Sequence, residues 1–548
     1  MKKNMFQLNM KRFFENKLYL FSLITYICLT IGYLIYISNK NIASGDELFQ
    51  YVFPLWRTNV MSLYSFAFFT FLSFEFSIDL FNKNLHEVFL CSPKKLNSIC
   101  LNNIAVLTVW NAVYSALLVI FNCCAFLSLC SYDGKYLIHI FLNIAVNVFL
   151  VNIFAVVFGQ AVSFFKNRTV SYLVIILFLV ISSQIGESIS GVIVLSTNNR
   201  VNPYYIYNFF DIFPPNLKWT PTYAMGFSIL PYRIYLMLFW IFVMLTIITV
   251  FLKNKTITVK SILAFVLSIT CVSAFLSPSS KVIMNSAPNN ESMSDQYYYL
   301  SGNTENKKGN FIIEKYDIKL KINRKLNCSV TMYPDKSLSE YSLTLYHGYN
   351  VKKVTDQNNN KLKFVQNGDY ITVRCENNVD SLTISYSGSG KGFYSNYQGI
   401  YLAGDFPYYP VAGRHPIYTD NYNPVISENT PYFDINVISN LDVYSNLTEV
   451  NDNCFSGYTQ VPSIFAGFLT EREKNNVRIV YPYLYGESDH IDDIFEIIDL
   501  DICNGKTVFI EPHVNARFDS NFRSYEDVVL APNYGDLLPD EFFEGEGL

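Results

Sequence analysis

Charged residues are scarce in this sequence. They make up 16% of its 548 residues, whereas hydrophobic residues make up 51%, and the net charge is −4. A soluble globular domain has about 25% charged residues, and a nucleic-acid-binding surface requires clustered positive charge. The composition therefore indicates a chain that is partly embedded in a membrane, and it gives no sign of a nucleic-acid partner.

Two motifs of ATP-using and hydrolytic enzymes are missing. The pair His86-Glu87 is followed by Leu90 where the zinc motif H-E-x-x-H requires a second histidine. The glycine-rich stretch YSGSGKGFYS departs from a phosphate-binding loop, because Ser385 replaces the first glycine and Gly392 replaces the Ser or Thr that holds magnesium. We interpret this stretch as a turn after a β-strand. The sequence predicts no catalytic residue, no metal site and no cofactor bound by this chain.

Long apolar runs fill the first half of the chain. A helix needs about 20 apolar residues to cross a bilayer, and seven runs are this long: 18–37, 58–81, 101–128, 137–162, 170–190, 232–252 and 260–277. After Ser279 the sequence becomes polar. We therefore expect an α-helical membrane bundle of about seven spans, followed by a second region of a different fold class.

Lysine and arginine are concentrated in alternate connections between these runs. They occur in the N-terminal segment and in the loops after the second, fourth and sixth runs; the first of these loops contains Lys83, Lys94 and Lys95. Positive loop residues remain on the cytoplasmic side of a membrane. The expected protein is a multi-pass cell-membrane protein with a cytoplasmic N-terminus and with residues 279–548 outside the cytoplasm.

The polar second half contains short segments in which apolar and polar residues alternate. Such segments, separated by turn residues, are typical of an antiparallel β-sandwich. A helical and strand-like stretch follows, which predicts a small α/β piece. The predicted domains are a cytoplasmic amphipathic segment (1–17), a six-span domain (18–255), an additional seventh span (256–278), a linker (279–310), a β-sandwich (311–488) and the α/β piece (489–548).

The loop after the second span has the pattern of a short amphipathic helix. Leu85, Val88 and Phe89 recur at helical spacing, and Ser92-Pro93 ends the pattern. A helix of this kind lies at the inner membrane surface. A simple basic connector would need neither the apolar stripe nor the defined end.

This run resembles the L-E-x-L-L-x-[ST]-P segment of ABC transporter permeases of the ABC-2 exporter family. Glu87 matches the family's glutamate, Leu90 its leucine, and Ser92-Pro93 its final pair, while His86 stands where an apolar residue is usual. In that family the segment is the coupling helix that docks on a separate ATPase subunit. The residues that the resemblance assigns to this contact are Leu85, Glu87, Val88, Phe89, Leu90, Ser92 and Pro93.

The resemblance covers about residues 1–255 and includes the basic amphipathic segment 1–17, which is similar to the family's elbow helix. It implies an exporter subunit whose partners are an ABC ATPase, a second permease subunit, identical or different, and the lipid bilayer. ATP and magnesium would then be bound by the partner ATPase. The transported substrate cannot be read from the sequence.

An ordered series of motifs in the second half resembles the N-terminal β-domain of the gluzincin zinc aminopeptidases. The matching positions are Tyr316-Asp317-Ile318, Asp356 with Lys361-Leu362, Leu382-Thr383-Ile384 with Tyr386 and Gly388, and Tyr408-Tyr409-Pro410. The resemblance covers roughly residues 311–485 and implies an aminopeptidase-like sandwich followed by a truncated peptidase-like remnant. Since the zinc motif is missing, we expect a non-catalytic outer domain that binds cargo or a partner.

Two polar residues within the predicted spans, Glu75 and Gln160, are candidates for a functional role. Polar groups are costly inside a membrane and often mark function. Asn143, Asn147 and Asn152 are equally well explained as interhelical hydrogen-bonding residues.

Four of the eleven cysteines lie in the predicted outer region: Cys328, Cys375, Cys454 and Cys503. Four cysteines can form two disulfides in any of three pairings. An anaerobic host would keep them as thiols.

Two alternatives to the permease remain open at this stage. The first is a membrane-anchored zinc-aminopeptidase-like protein, which the missing ligands disfavour. The second is a multi-span surface receptor or sensor without transport activity. An ATPase partner would distinguish the permease from both.

Overall fold

A computed structural model gives the structure of the chain. It describes residues 5–43, 52–82, 93–129, 134–165, 167–197, 200–201, 203–213, 225–252, 256–277, 298–299, 305–376, 378–390, 392–418, 422–485, 503–511 and 523–531. The chain forms two compact units. The first comprises Met1–Trp219 and Ile229–Lys281, and the second comprises Thr220–Ser228 and Val282–Leu548.

The first unit is helical. Its elements are α1 (Met5–Glu15), α2 (Lys17–Ala43), α3 (Phe53–Val60), α4 (Ser62–Asn82), α5 (Pro93–Leu129), α6 (Gly134–Ile144), a π-helical turn (Ala145–Leu150), α7 (Val151–Val162), a 3-10 turn (Ser163–Phe165), α8 (Arg168–Ser182), α9 (Gln184–Ser196), α10 (Tyr204–Tyr207), α11 (Pro231–Phe251) and α12 (Val259–Leu276).

Among the described residues, six helical stretches are long and apolar enough to cross a membrane: Lys17–Lys40, Phe53–Asp79, Ile99–Ser128, Gly134–Phe165, Pro231–Phe251 and Val259–Leu276. They correspond to six of the seven predicted runs, so the expected set of long apolar helices is confirmed at this level.

The fifth predicted run, 170–190, is not a straight helix. Its residues form α8 and α9, which meet at a bend of 62° and together provide at most a seventh span. Ser183 lies in extended backbone between them, and its hydroxyl accepts a hydrogen bond from the amide of Ile185. Capping by Ser183 ends one helix and begins the next, which is why a continuous apolar run is broken.

The start of α5 also differs from the prediction. Lys94 and Lys95 were expected in a loop that precedes a span at residue 101, but helix α5 already begins at Pro93. Proline is favoured in the first turn of a helix because its missing N–H has no partner to lose there. Pro93 therefore begins a long helix.

The second unit is built from nineteen strands among the described residues. They are β1 (Ile313–Ile322), β2 (Leu326–Pro334), β3 (Glu340–Thr344), β4 (Tyr349–Asp356), β5 (Lys363–Asn367), β6 (Tyr370–Arg374), β7 (Leu382–Gly388), β8 (Ile400–Leu402), β9 (Val411–Ala412), β10 (Tyr432–Ile438), β11 (Val443–Ser445), β12 (Thr448–Asn451), β13 (Cys454–Tyr458), β14 (Ile464–Ala466), β15 (Leu469–Lys474), β16 (Val477–Pro482), β17 (Thr507–Ile510), β18 (Arg523–Ser524) and β19 (Val528–Ala531).

Three sheets, together with one face of a fourth, line one hydrophobic core. They are a seven-stranded sheet in the order β12-β13-β10-β1-β2-β7-β4, a four-stranded sheet β5-β6-β3-β9 and a three-stranded sheet β11-β14-β8. The expected mainly-β region is confirmed. It is not purely antiparallel, however, because β1 pairs with β10 in parallel. Strands so distant in sequence pair through tertiary packing, which local alternation cannot reveal.

The fourth sheet contains both parallel and antiparallel pairs, in the order β15-β16-β17-β19-β18. Strands β16, β17 and β19 run parallel to one another, as expected for an α/β arrangement. The sheet begins at Leu469, so the predicted boundary between 488 and 489 divides it. The physical reason is that β15 and β16 form a hairpin whose second strand continues the pairing into β17.

Candidate functional site

Glu75 lies near the end of α4 and is paired with a positive charge. Its carboxylate is 3.2 Å from the Arg168 guanidinium and accepts a hydrogen bond from the Tyr172 hydroxyl. On the other side of α4, the Tyr19 hydroxyl donates to the Glu75 carbonyl at 3.2 Å and to the Asp79 carboxylate at 3.0 Å. These contacts join α2, α4 and α8 and pair Glu75 with Arg168, so a structural role accounts for it.

Helix α1 is fastened to the same end of α4. Arg12 donates to the Phe76 carbonyl and to the Asn103 side chain, both at 3.0 Å, and its guanidinium lies 3.9 Å from the centre of the Phe76 ring. Burial lowers the pKa of Arg12 to about 10, with Tyr19 opposing this change, so the group stays charged at neutral pH. The amphipathic N-terminal segment is thus a helix locked onto the bundle.

A line of hydrogen-bonded polar side chains runs between α4, α5 and α7. We name it the polar seam, and it consists of Ser65, Ser73 and Ser77 of α4, Asn111 of α5, and Asn152 and Gln160 of α7. All six side chains are buried. Hydrogen bonds between membrane helices contribute on the order of 0.6 to 2 kcal/mol each, so the seam fixes the relative position of these helices.

The links in the seam are short and consecutive. Ser65 donates to Asn152 at 3.0 Å, Asn152 donates to Asn111 at 3.1 Å, and Asn111 donates to a backbone carbonyl of the π-helical turn at 2.9 Å. Ser77 donates to Gln160 at 2.7 Å, and Gln160 donates to Ser163 at 3.3 Å. Both polar atoms of the Gln160 side chain are therefore satisfied within the protein.

Close helix contact brings the two sides of the seam together at Gly159. A Cβ atom at this position would lie 2.3 Å from the Thr70 carbonyl oxygen. Small residues allow such approach of helix backbones in membrane bundles. Gly159 was not singled out in the sequence, because a glycine within an apolar run does not reveal which helix faces it.

Other buried polar atoms on α3, α4 and α5 lack partners among the described residues. Asn122 donates to Thr58 at 2.9 Å, but both amide atoms of Asn59 and the hydroxyls of Ser62 and Ser115 have no hydrogen-bond partner among the described residues, although all are buried. An unsatisfied buried polar group costs about 1–3 kcal/mol. Such groups need water or a bound polar molecule, which makes this part of the bundle the candidate functional site.

The sequence named Gln160 and the asparagines at 143, 147 and 152 but missed this site. Asn152 does make an interhelical hydrogen bond, whereas Asn147 donates to Asn143 on its own helical segment at 3.0 Å. Asn59 and Asn122 were overlooked because a single polar residue near the end of an apolar run does not show whether it lies on the buried or the lipid-facing side of the helix. The signal available was the recurrence of asparagine in several runs.

The predicted ATPase-contact residues from Leu85 to Ser92 lie outside the described residues. Pro93 is described only as the first residue of α5. The coupling-helix assignment therefore remains a prediction.

In the β-domain, motifs that carry the aminopeptidase resemblance meet in the core. The Tyr316 hydroxyl donates to the Pro410 carbonyl at 3.1 Å, and the Tyr386 hydroxyl donates to the Tyr408 carbonyl at 2.6 Å. Tyr316 also packs against Tyr409, with ring centres 5.3 Å apart. Residues spread over nearly a hundred positions thus form one buried tyrosine cluster, which explains their occurrence as a structural requirement.

The glycine-rich stretch after β7 has a packing role. A Cβ atom on Gly388 would lie 1.9 Å from the Gly348 carbonyl oxygen, and one on Gly390 would lie 2.1 Å from the Phe393 carbonyl oxygen. Strand β7 ends at Gly388, as expected for a strand followed by a turn. Close backbone approach accounts for these glycines without a phosphate ligand.

A buried charge cluster joins the core sheets to the fourth sheet. Arg523 of β18 lies 2.6 Å from Asp405 and 2.6 Å from Glu511, and the exposed fractions of the three side chains are 11%, 0% and 7%. The hydroxyls of Tyr401 and Tyr525 donate to Glu511 and Asp405 at 2.6 and 2.8 Å. We name these five residues the arginine clamp. Its donors and acceptors satisfy one another, so it is a structural contact and not an open site.

No group of three or more His, Cys, Asp or Glu side chains in the described part of the chain is arranged to hold a metal ion. His347 pairs with Asp369 at 3.0 Å, and the ring of His415 lies 2.9 Å from the Ala412 carbonyl oxygen. His490 and His513 lie outside the described residues.

The structure places the four outer cysteines in different strands and connecting segments of the second unit. Cys328, Cys375 and Cys454 are free thiols, and Cys503 is buried in the core of the fourth sheet. Cys328 of β2 and Cys454 of β13 have two strands between them in the seven-stranded sheet, which places them about 14 Å apart. A disulfide requires Cα atoms within about 7 Å, so the pairing that joins these two is excluded.

No protein-family model and no curated protein matches the chain. Solved structures of zinc peptidases match part of it. The M1 zinc metallopeptidase of Deinococcus radiodurans bound to a Tyr-Ser-Ala substrate has a TM-score of 0.30 and 15% identity, over 42% of this chain and 62% of that one.

Two structures of a related kind give similar values. Yeast leukotriene A4 hydrolase in complex with bestatin has a TM-score of 0.30 and 14% identity, over 42% of each chain. The native enzyme from Saccharomyces cerevisiae has a TM-score of 0.29 and 15% identity, over 44% of each chain. This chain covers less than two thirds of the length of these three structures. The resemblance of the first half to ABC permeases has no counterpart in these findings and remains a prediction.

Proposed function

We propose that this chain is the membrane-spanning permease subunit of an ABC exporter, driven by a separate ATPase that binds ATP and magnesium. A second permease subunit completes the assembly in the bilayer. The N-terminus is cytoplasmic, and the β-domain lies outside, where it binds cargo or a partner without catalysis.

The observation that carries the proposal is the polar interior of the bundle. A set of helices that only anchors a peptidase or receptor has no need of buried polar groups without hydrogen-bond partners, because such groups cost free energy. Here α4, α5 and α7 share the polar seam, and the unsatisfied groups belong to Asn59 of α3, Ser62 of α4 and Ser115 of α5. Neutral amides and hydroxyls suit a path for uncharged polar groups or a helix interface that rearranges during transport.

Helix α1 provides further support. It is amphipathic, precedes the first apolar helix, and is held against α4 and α5 through Arg12. These features fit the elbow helix of the resembled family. Since α5 begins directly after the predicted coupling segment, a push on that segment would reach α1 through the Arg12–Asn103 hydrogen bond.

The test is co-purification of the ATPase with wild-type chain and with Phe89→Ala. The apolar anchor should fill a groove on the partner, and truncation of such an anchor costs about 2 kcal/mol or more. We expect Phe89→Ala to lose the ATPase and uncouple its activity in reconstituted vesicles while the chain still inserts. Lys94→Ala is the matched control, because a lysine at the rim of an interface is expected to contribute little. Equal retention of the ATPase by Phe89→Ala and wild type would contradict the coupling role.

A second candidate function is that of a membrane-anchored aminopeptidase-like protein. The convergence of Tyr316, Tyr386, Tyr408 and Pro410 in one core favours it, since these positions carry the aminopeptidase resemblance. It requires stoichiometric zinc in the purified chain and peptide hydrolysis that a chelator abolishes. The permease proposal predicts neither.

A further inference from the structure

A short segment between α10 and α11 belongs to the β-domain. Thr220–Ser228 is part of the second unit, although helices of the first unit flank it in the sequence. Met225 has 0% of its surface exposed and lies in the main hydrophobic core of the β-domain. The β-domain therefore contains a residue from the loop that precedes α11, far from the rest of its own sequence.

Met225 fills a defined socket. The Asn396 amide nitrogen lies 3.8 Å from the Met225 sulfur, and a Cβ atom on Gly399 would lie 2.4 Å from the Met225 Cγ. Asn396 and Gly399 are themselves fixed. The backbone N–H of Asn396 donates to the Gly399 carbonyl at 3.0 Å, and the side-chain oxygen of Asn396 accepts from the backbone N–H of Gln398 at 2.8 Å. The socket is thus a preformed turn in which glycine is required by the methionine.

The connection from this socket to α11 is short. Gly226 follows Met225 with a φ of +59°, a conformation that favours glycine. Ser228 is the last residue of the segment in the second unit, and α11 begins at Pro231. Only two residues separate Ser228 from Pro231, and an extended residue spans about 3.5 Å. The start of α11 can therefore move only a short distance from the socket.

We infer that Met225 is an anchor by which the β-domain holds the start of α11. The helical hairpin α11–α12 is then attached to the β-domain at both ends, by the anchor before α11 and by the chain after α12. Two membrane crossings return the chain to the side from which it started, so the anchor and the β-domain share one side of the membrane. This inference does not depend on the permease proposal.

Within the helical unit, α11 is in turn fixed to the segment 203–213. On α11, Arg233 donates to the Ile212 carbonyl at 3.0 Å and Trp240 donates to the Phe209 carbonyl at 2.6 Å. Phe210, in the same segment, packs against Trp240 with ring centres 5.3 Å apart. A displacement of the start of α11 would therefore move the segment 203–213 together with the helix.

The experiment uses the full chain in membranes, with native cysteines replaced and a protease site inserted at residues 284–290. Cysteines are placed by Met225→Cys and Asn396→Cys, and the matched control combines Met225→Cys with Val365→Cys, whose site on β5 is exposed. After oxidation and cleavage, we expect the two fragments to stay joined without reductant only in the first pair. Separation of the fragments in both pairs, with the chain expressed and cleaved, would overturn the inference.

A second readout guards against failure to form the disulfide. In a chain whose only cysteine is Ser228→Cys, a buried site, Gly399→Val should expel Met225 and raise the rate of labelling by a membrane-impermeant maleimide at least about tenfold. Adding Met225→Ala, which vacates the space that valine needs, should reduce the strain at the socket but keep the segment released. An unchanged labelling rate in Gly399→Val would show that Met225 does not hold the segment.

Discussion

Removal of Arg523 tests the arginine clamp. The side chain lies 2.6 Å from both Asp405 and Glu511, with almost no exposure to solvent. Burial opposes the charge of Arg523, but the two carboxylates outweigh burial and raise its pKa above the ordinary value. Arg523→Met keeps the apolar stem and leaves two buried carboxylates without a counter-charge, a change that costs about 3–5 kcal/mol.

Cys503 provides the assay for this change. It is buried in the core of the fourth sheet, so its rate of thiol labelling in a chain with no other cysteine reports the opening of that sheet. A loss of about 3–5 kcal/mol corresponds to roughly two to four powers of ten in the opening equilibrium, and therefore in the labelling rate under fast closing.

Matched variants separate charge from packing. Arg523→Lys keeps the positive charge but cannot bind two carboxylates at once, so its effect should be smaller than that of the methionine variant. Combining Arg523→Met with Asp405→Asn and Glu511→Gln should restore part of the loss, because the buried charges are gone. Labelling of Cys503 at the wild-type rate in Arg523→Met would refute the argument that the clamp stabilises this sheet.

Three further perturbations have defined outcomes. Gly159→Ala forces a Cβ into the Thr70 carbonyl and should cost about 1–3 kcal/mol in thermal stability in detergent, whereas Gly32→Ala, with no atom within 4 Å of its Cβ, should be neutral or stabilising. Burial raises the pKa of Asp211 to about 6. The protonated Asp211 therefore stabilises the fold fully below about pH 4, and this stabilisation is lost as the pH rises through 6. The melting temperature should fall over this range, and Asp211→Asn should remove the pH dependence. Tyr386→Phe leaves the Tyr408 carbonyl without its donor and should cost about 1–3 kcal/mol, measured by labelling of Cys328 on the neighbouring strand.

The sequence predicted the helices and strands that depend on the pattern of neighbouring residues. Six of the long apolar helices follow directly from the length that a bilayer demands, and the alternating segments predicted the mainly-β region. The bend at Ser183 was missed, because serine there can either continue a helix or cap the next one, and only the surrounding packing decides. The early start of α5 at Pro93 was missed for a similar reason, since proline both ends and begins helices.

The sites depend on non-local pairing and were predicted less well. Gln160 and Asn152 could be named as polar residues in apolar runs, but their partners Ser77 and Ser65 lie more than 80 positions away. Met225 gave no signal at all, because a methionine in a loop is ordinary until the β-domain core is known. Such contacts arise only when two distant segments are folded together.

The central claim is a membrane bundle with a cytoplasmic N-terminus that carries an outer β-domain. The most direct test is labelling of intact cells with a membrane-impermeant maleimide, in chains whose only cysteine is placed at Asn306 or at Lys166. The account predicts that Asn306→Cys is labelled from outside and that Lys166→Cys is labelled only after the membrane is permeabilised. Labelling of Lys166→Cys in intact cells, with Asn306→Cys protected until permeabilisation, would contradict it.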